Sequence, residues 1–252
     1  MKALILAAGR GSRLGELTVR ENKCMLEVFG RPILDYNLVN AAKTSVREIV
    51  LVVGHRSDDV MARYGNRFMG KPITYVHQKE LLGLVHAMEC ATDAIAGDDF
   101  LLFLGDEVLT NPRHDLMVKQ FEKDRLFGLC GVCAEPNLAK ISRTYTVIED
   151  SDRRIYRMIE KPRKPMYHIR GTGNCVFANE ILSFVEQTPT NPTRCQKELP
   201  DLVQCAIDEN NIVKSFSICD EYTNVNSEED LGEAIALLSP KRELLSVTTP
   251  QR

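Results

Sequence analysis

The N-terminus of this chain has the pattern of a buried strand that runs directly into a loop of small residues. The apolar run Leu4 to Leu6, followed by Ala7 and Ala8, is typical of a strand in a protein interior. Gly9 comes next and Gly11 soon after, so the chain leaves the strand with little side-chain bulk. Phosphate groups can closely approach backbone N–H groups at such a turn. The stretch therefore favours a fold in which a strand end carries an anion-binding loop.

Two cations lie just beyond this loop. Arg13 offers a fixed fork for phosphate oxygens, and Lys23, ten residues further on, offers a mobile point charge. Together with the strand and the loop, they predict a place to hold a triphosphate.

The spacing of the loop excludes two common phosphate motifs. A Walker A loop needs four residues between its glycines and then Gly-Lys-Ser/Thr, which this stretch lacks. The dinucleotide fingerprint needs a third glycine where this chain has Leu14. An ordinary strand-to-helix turn of an α/β protein fits the stretch equally well, so residues further along the chain must decide.

Composition excludes several classes of partner. The 252 residues carry a net charge of −3, so no basic field attracts nucleic acid, and we predict no DNA or RNA partner. No apolar run approaches the roughly 18 residues of a membrane span, and only six apolar residues precede Gly9, too few for a signal-peptide core. We therefore expect a cytoplasmic protein without a membrane partner.

The eight cysteines are scattered, and the single C-x-x-C pair, Cys130 and Cys133, lies inside an apolar run without a second pair at zinc spacing. We expect reduced, mostly buried thiols.

Strand-like and helix-like runs alternate through the first half of the chain, whereas strand-like runs follow one another in the second half. This order predicts an α/β fold, a Rossmann-like three-layer α/β/α arrangement with a mostly parallel mixed sheet and an antiparallel addition beside the ligand site. The predicted strands are 3–7, 48–53, 73–77, 100–104, 127–134, 145–149, 154–160, 174–178 and 212–218, and the predicted helices are 32–43, 58–64, 84–95, 179–187, 197–209 and 227–238. We expect one domain over 1–238, with a nucleotide-binding half to about 125 and an acceptor-binding half over 126–238, and a loose tail over 239–252.

Asp106 follows directly after the predicted strand 100–104. Ligands of open α/β sheets bind beyond the carboxyl ends of the strands, and Mg²⁺ prefers one or two carboxylates together with water and phosphate oxygens. A turn aspartate without a ligand is the other interpretation of this residue.

The motifs, taken in order, resemble the nucleotidyltransferases that activate sugar 1-phosphates, the group typified by glucose-1-phosphate thymidylyltransferase. The opening L-A-A-G-x-G-x-R-L-x-x-L-T pattern is the most specific match, and further matches extend to about residue 237. These are Asn22-Lys23, Arg31-Pro32-Ile33, the Gln78 to Gly83 to Ala87 segment, Gly105-Asp106, Glu160-Lys161-Pro162, Gly173, Arg194 and the Asn224 to Leu231 segment.

The resemblance implies Mg²⁺-dependent, in-line attack by the phosphate of a sugar 1-phosphate on the α-phosphorus of a nucleoside triphosphate, which releases pyrophosphate. It assigns Arg13, Lys23 and Asp106 to catalysis, and it assigns the acceptor to Glu160, Lys161, Gly173 and Arg194. It assigns nucleotide binding to Leu6, Ala7, Ala8, Gly9, Gly11, Gln78 and Gly83, and the metal to Asp106 with Asn224 or Asn226.

Three departures from the family pattern limit what the resemblance implies. Asn22 replaces the proline before the key lysine, and we expect a looser loop with the charge of Lys23 kept in place. Asn224 or Asn226 stands where many relatives have a second metal-binding aspartate, and an amide oxygen can still coordinate Mg²⁺ weakly or through water. The unusual segment 172–175 leaves the acceptor open.

Two other functions remain open at this point. One is a cytidylyltransferase acting on phosphocholine or a phosphonate, and the other is a nucleotide-binding regulatory subunit without turnover. The sequence weakly favours dTTP or UTP, with CTP as the remaining option, and leaves a homo-oligomer open.

Overall fold

The computed structural model describes residues 1–18 and 21–239, and its centre is a mixed sheet of eight strands. These are β1 (Lys2–Ala7), β2 (Ile49–Val53), β3 (Arg67–Phe68), β4 (Lys71–His77), β5 (Phe100–Leu104), β6 (Gly128–Ala134), β7 (Ile169–Phe177) and β8 (Val213–Ser217). Their spatial order is β8-β6-β7-β5-β1-β2-β4-β3. β1 pairs in parallel with β2 and β5, whereas β7 runs antiparallel between β5 and β6. The predicted α/β class with a mostly parallel mixed sheet is confirmed.

Helices cover both faces of this sheet because successive strand residues point to opposite sides. Ala3 and Ile5 of β1 belong to one buried apolar cluster, and Leu4 belongs to another. The helices are α1 (Ile33–Ala42), α2 (Ser57–Tyr64), α3 (Leu84–Cys90), α4 (Thr92–Ile95), α5 (His114–Asp124), α6 (Leu138–Ile141), α7 (Leu199–Asp208) and α8 (Glu228–Leu237). The first cluster takes residues from α1, α2 and α5, and the second takes residues from α3, α4 and α7. Two apolar layers on either side of one sheet give the three-layer arrangement.

Four pairs of short antiparallel strands lie outside the central sheet and carry several of the predicted site residues. They join Glu27–Val28 with Arg31–Pro32, Glu107–Leu109 with Tyr222–Asn224, Tyr145–Glu149 with Ile155–Glu160, and Thr190–Asn191 with Gln196–Lys197. Short segments of 3₁₀ helix occur at Ser12–Thr18, which is kinked at Gly15, and at Lys23–Met25 and Asn179–Phe184.

Several predicted boundaries are wrong. The helix predicted over 84–95 is two helices, α3 and α4, because the chain turns at Ala91, whose ψ is −1°. The helix predicted to begin at 197 begins at Leu199, since Gln196–Lys197 pairs with Thr190–Asn191. The segment predicted as a helix over 179–187 forms only the 3₁₀ turn, and α5 was not predicted at all.

Within the described residues, no helix is long and apolar enough to cross a membrane. The tail predicted over 239–252 lies outside the described residues apart from its first residue.

Candidate active site

The loop after β1 is shaped by close packing against Lys23. Gly11 has a φ of +66°, and a Cβ atom there would lie 2.9 Å from the Cβ of Lys23, so both conformation and space require glycine. At Gly9 an added Cβ would meet nothing within 4 Å, so the small side chain leaves open space above the strand end. The loop therefore combines one glycine needed for packing with one that leaves room for a ligand.

Asn22 fastens this region rather than loosening it, so the expectation of a looser loop is wrong. The residue is fully buried, and its Nδ2 donates to the carbonyl of Ala7 at 3.0 Å and to that of His55 at 2.7 Å. Its Oδ1 accepts from the backbone N–H of Cys24 at 2.8 Å. A side chain with three hydrogen bonds here holds the turn that carries Lys23.

Charged and amide groups from three distant parts of the chain meet at the end of β5. Lys23, only 8% exposed, forms an ion pair with Asp106. The Asn226 Oδ1 accepts from Lys23 Nζ at 3.2 Å and from Arg13 Nη2 at 2.9 Å. The Asn226 Nδ2 in turn donates to the Oδ1 of Asn224. The structure therefore brings the predicted catalytic residues together, and Asn226 is the asparagine in contact with them.

The cluster offers Mg²⁺ only a small number of oxygen donors. Asp106 provides one carboxylate and Asn226 an amide oxygen, whereas no group of three His, Cys, Asp or Glu side chains suited to a metal occurs in the described part of the chain. Mg²⁺ is commonly held by one or two carboxylates and completed by water and phosphate oxygens. The residues therefore fit an ion that arrives with a phosphate ligand.

A cavity of about 530 Å³ opens beside the cluster on the side of α3. Its lining includes the predicted residues Leu6, Ala8, Gly9, Gly11, Lys23, Gln78, Gly83 and Asp106. Ala7 is not among the lining residues, and its carbonyl accepts from Asn22. Gln196, which the sequence did not point to, also lines the cavity and packs against Gly83, whose φ is +101°.

A second cavity of about 600 Å³ lies on the other side of the cluster, and Leu104 lines both. Arg13, Asn224 and Asn226 line it at the cluster, and Glu160 and Lys161 line its wall. Arg194 lines a neighbouring cavity of about 500 Å³ that also includes Glu160 and Lys161.

Glu160 contacts two other predicted acceptor residues, Lys161 and Arg194. The Glu160 Oε1 accepts from Arg194 Nη2 at 3.0 Å and lies 3.2 Å from Lys161 Nζ. Lys161 has a φ of +44°, an uncommon conformation for a residue with a side chain. The backbone N–H of Lys161 donates to the carbonyl of Thr144 at 2.6 Å. This hydrogen bond fixes the turn that follows the strand Ile155–Glu160.

Gly173 closes the second cavity from β7 through its backbone. A Cβ atom there would lie 2.1 Å from the Cγ of Leu104, so only glycine fits. The Gly173 N–H donates to both carboxyl oxygens of Glu107, at 2.9 and 3.0 Å. Glu107 was missed from sequence, although it directly follows Asp106. Burial and, secondarily, the charge of Asp106 raise the pKa of Glu107 to about 8.

Comparison with known proteins places these motifs in context. The family model described as nucleotidyl transferase matches residues 2–245. The UTP–glucose-1-phosphate uridylyltransferase AglF of Haloferax volcanii is 31% identical over 93% of this chain and 95% of its own length. A glucose-1-phosphate thymidylyltransferase of Streptomyces griseus is 30% identical over 100% of this chain and 68% of its own length.

Solved structures share the fold at lower identity. A UDP-glucose pyrophosphorylase complexed with UDP-glucose superposes with a TM-score of 0.85 at 18% identity, over 96% of this chain and 99% of that one. A UTP-bound UGPase from Acinetobacter baumannii superposes with a TM-score of 0.80 at 19% identity, over 99% of both chains.

Proposed function

This chain belongs to the nucleotidyl transferase family, as its motifs predicted, and from that premise we propose that it joins a nucleoside triphosphate to a sugar 1-phosphate. The products are a nucleoside diphosphate sugar and pyrophosphate. One observation carries the proposal: the cluster of Arg13, Lys23 and Asp106 lies between two cavities of about 530 and 600 Å³. A reaction between two separately bound anions needs such an arrangement.

Charge neutralisation is the main task of the site. The acceptor phosphate attacks the α-phosphorus while the bond to the departing pyrophosphate breaks, so two anions must approach within bonding distance. In this proposal Lys23 bridges the α-phosphate and the acceptor phosphate, and Arg13 draws charge onto the departing phosphates. Cations placed in advance lower the barrier because they need no reorganisation during the reaction.

Positioning is the second task. The nucleotide lies in the cavity of about 530 Å³, against the lining residues Gly9, Gly11, Gln78 and Gly83. Glu160 accepts sugar hydroxyls in the larger cavity. The acceptor phosphate is held by Lys161 and by Arg194, which lines the neighbouring cavity that also includes Glu160 and Lys161. Fixing both reactants in line removes much of the entropic cost of a two-substrate reaction.

Asp106 holds Mg²⁺ in this proposal, with Asn226 nearby as a neutral oxygen donor. When bound, the ion supplies positive charge to the phosphate oxygens. Lys23 pairs with Asp106, so a metal ion on this carboxylate would leave the Lys23 ammonium group free for the phosphates.

A substrate matrix tests the proposal. Five nucleoside triphosphates are combined with a panel of sugar 1-phosphates and phosphocholine in Mg²⁺ buffer, and pyrophosphate release is measured. We expect release with at least one sugar 1-phosphate and none without an acceptor. Release with phosphocholine alone would establish a cytidylyltransferase-type activity instead, and nucleotide binding without any release would establish a regulatory subunit.

A further inference from the structure

The middle of β7 departs from the regular pairing of the central sheet at the wall of the larger cavity. Between its pairings with Val132 and Cys130, β7 has three residues (172–174) and β6 has one. The pairing of β7 with β5 covers Cys175–Phe177. Such a bulge leaves backbone N–H groups without a partner in the neighbouring strand, and bulges are common beside active sites. The N–H groups of this segment therefore need acceptors from elsewhere in the chain.

Glu107 supplies one of these acceptors from a short strand outside the central sheet. Both of its carboxyl oxygens accept from the Gly173 N–H, at 2.9 and 3.0 Å, and its Oε2 accepts from Asn174 Nδ2 at 2.7 Å. The N–H of Asn174 donates locally, to Thr172 Oγ1 at 3.1 Å. Glu107 is 2% exposed, and a buried carboxyl group is unfavourable unless it is hydrogen-bonded. Glu107 and the bulge of β7 therefore depend on each other.

The backbone at Glu107 is fixed next to the reactive cluster. The carbonyl of Asp106 accepts from the N–H of Val225 at 2.9 Å. The carbonyl of Glu107 accepts from Nδ2 of the fully buried Asn37 at 3.0 Å. The side chain of Asp106 pairs with Lys23, whereas the next side chain, that of Glu107, holds β7. Two adjacent residues therefore connect the cluster to the wall of the larger cavity.

We propose that Glu107 is a positioning residue for the sugar 1-phosphate, because it fixes the cavity wall at Gly173 relative to the carboxylate of Asp106. The inference rests on the proposed function, because that function assigns the larger cavity to the sugar 1-phosphate. Glu107 acts through β7, since its carboxyl oxygens are occupied by Gly173 and Asn174. A small misplacement of one reactant lowers the rate of a two-substrate reaction strongly. Loss of this contact should therefore impair use of the sugar 1-phosphate and leave nucleotide binding unchanged.

Steady-state kinetics of pyrophosphate release test the proposal, with the nucleoside triphosphate and sugar 1-phosphate that the wild-type chain turns over fastest in the substrate matrix. In Glu107→Gln the side chain keeps its shape, but its NH₂ group faces a donor whichever way the amide turns. We expect kcat/KM for the sugar 1-phosphate to fall about 10–100-fold, the range for a buried donor without a partner, and KM for the nucleotide to stay unchanged. Glu107→Asp keeps the charge and shortens the side chain by one methylene group. It should give the same difference between the two substrates if Glu107→Gln does not fold.

An exchange of polarity separates positioning from a general loss of stability. In Glu107→Gln/Asn174→Asp the carboxylate introduced at 174 accepts from the amide introduced at 107. The ring of His114, 2.8 Å from Asn174 Oδ1, keeps an acceptor in this variant. We expect the double variant to recover most of kcat/KM for the sugar 1-phosphate. Glu48→Gln is the matched control, because it removes a carboxylate that lies 3.0 Å from Lys2, where β1 begins, and it should keep both KM values.

Two results in a wild-type chain that turns over a sugar 1-phosphate would overturn the inference alone. One is an unchanged kcat/KM for the sugar 1-phosphate in folded Glu107→Gln and Glu107→Asp. The other is an equal rise of both KM values that the double variant does not reverse, because it would show a general structural role. A wild-type chain that releases no pyrophosphate with any acceptor contradicts the proposed function, and with it the inference.

Discussion

At the scale of single residues, the candidate reactive cluster places one neutral amide between two cations. The Asn226 Oδ1 accepts from both Arg13 and Lys23, whereas a carboxylate at this position would neutralise part of their charge. The amide orients the cations and leaves their charge available to phosphate groups. Asp106 is the single carboxylate paired with Lys23 within the described residues.

The first prediction concerns these cations. Arg13→Ala and Lys23→Ala should each lower the rate of pyrophosphate release by about 10²–10³-fold, the usual effect of losing one partner of transition-state charge. Lys79→Ala, which removes an exposed lysine next to Gln78, is the control and should keep its rate. Near wild-type rates in either active-site variant would contradict the roles proposed for both cations.

The second prediction concerns Gly173. In Gly173→Ala the new methyl group meets Leu104, and the chain should lose about 1–3 kcal/mol of unfolding free energy, the range for overpacking. Gly232→Ala is the matched control, because this exposed glycine in α8 has open space around it, and it should gain up to about 1 kcal/mol. Urea denaturation of both variants measures the difference, and equal stabilities would show that β7 can move away from Leu104.

Sequence motifs revealed some residues of the candidate site and missed others. Gln78 and Gly83 were found because they belong to a spaced pattern, whereas Glu107 and Gln196 were not. Their importance comes from contacts with groups distant along the chain, such as Glu107 with the N–H of Gly173. Only the adjacency of Glu107 to Asp106 could have drawn attention to it.

At the scale of elements, local capping chemistry positions the cluster. Ser227 caps α8, since its Oγ accepts from the N–H of Asp230 at 3.2 Å, and the Asp230 carboxylate accepts from the N–H of Asn226 at 3.0 Å. The start of one helix therefore holds the backbone of the asparagine that contacts Arg13 and Lys23.

The third prediction follows from this cap. Ser227→Ala should lower the free energy of unfolding by about 1 kcal/mol, because one N–H at the helix start loses its acceptor. Ser57→Ala is the control, since Ser57 is the first residue of α2 and its helix has no side-chain cap. A lower urea midpoint for Ser227→Ala but not for Ser57→Ala is expected, and indistinguishable midpoints would argue against a stabilising cap.

Element boundaries were predicted well where apolar periodicity and termination signals coincide. β1, β2, β4 and β5 match the apolar runs, and Pro200 lies in the first turn of α7. The predicted boundaries were wrong where a contact between residues distant in sequence decides the local conformation. The pairing of Gln196–Lys197 with Thr190–Asn191 is one example.

At the scale of the whole molecule, a buried series of hydrogen bonds links α5, β7 and the short strand Glu107–Leu109. The His114 ring in α5 hydrogen-bonds to Asn174 Oδ1 at 2.8 Å, and Asn174 Nδ2 donates to Glu107 Oε2 at 2.7 Å. His114 is 3% exposed, and its burial lowers its pKa to about 4. The neutral ring is therefore the form that the folded chain accommodates.

The fourth prediction is a pH dependence of global stability. Between the unfolded pKa near 6.5 and the folded value of about 4, the unfolded chain binds more protons at this residue, so stability falls as the pH falls. The loss reaches about 3 kcal/mol at the lower end of this window. In His114→Gln this part of the slope should be missing when unfolding is compared at about pH 7.5 and about pH 5. Parallel pH profiles for the variant and the wild type would show that His114 titrates normally.

The sequence by itself determined the fold class, the loop of small residues after β1 and the family, because these depend on short runs of residues in fixed spacing. Its motifs also named the residues that converge at the end of β5. Only the tertiary structure decided the order of strands, the contact of Asn226 with Arg13 and Lys23, and the hydrogen bonds of Asn22. Each of these depends on groups far apart in the chain that packing brings together, and no local pattern records which neighbour a side chain will meet.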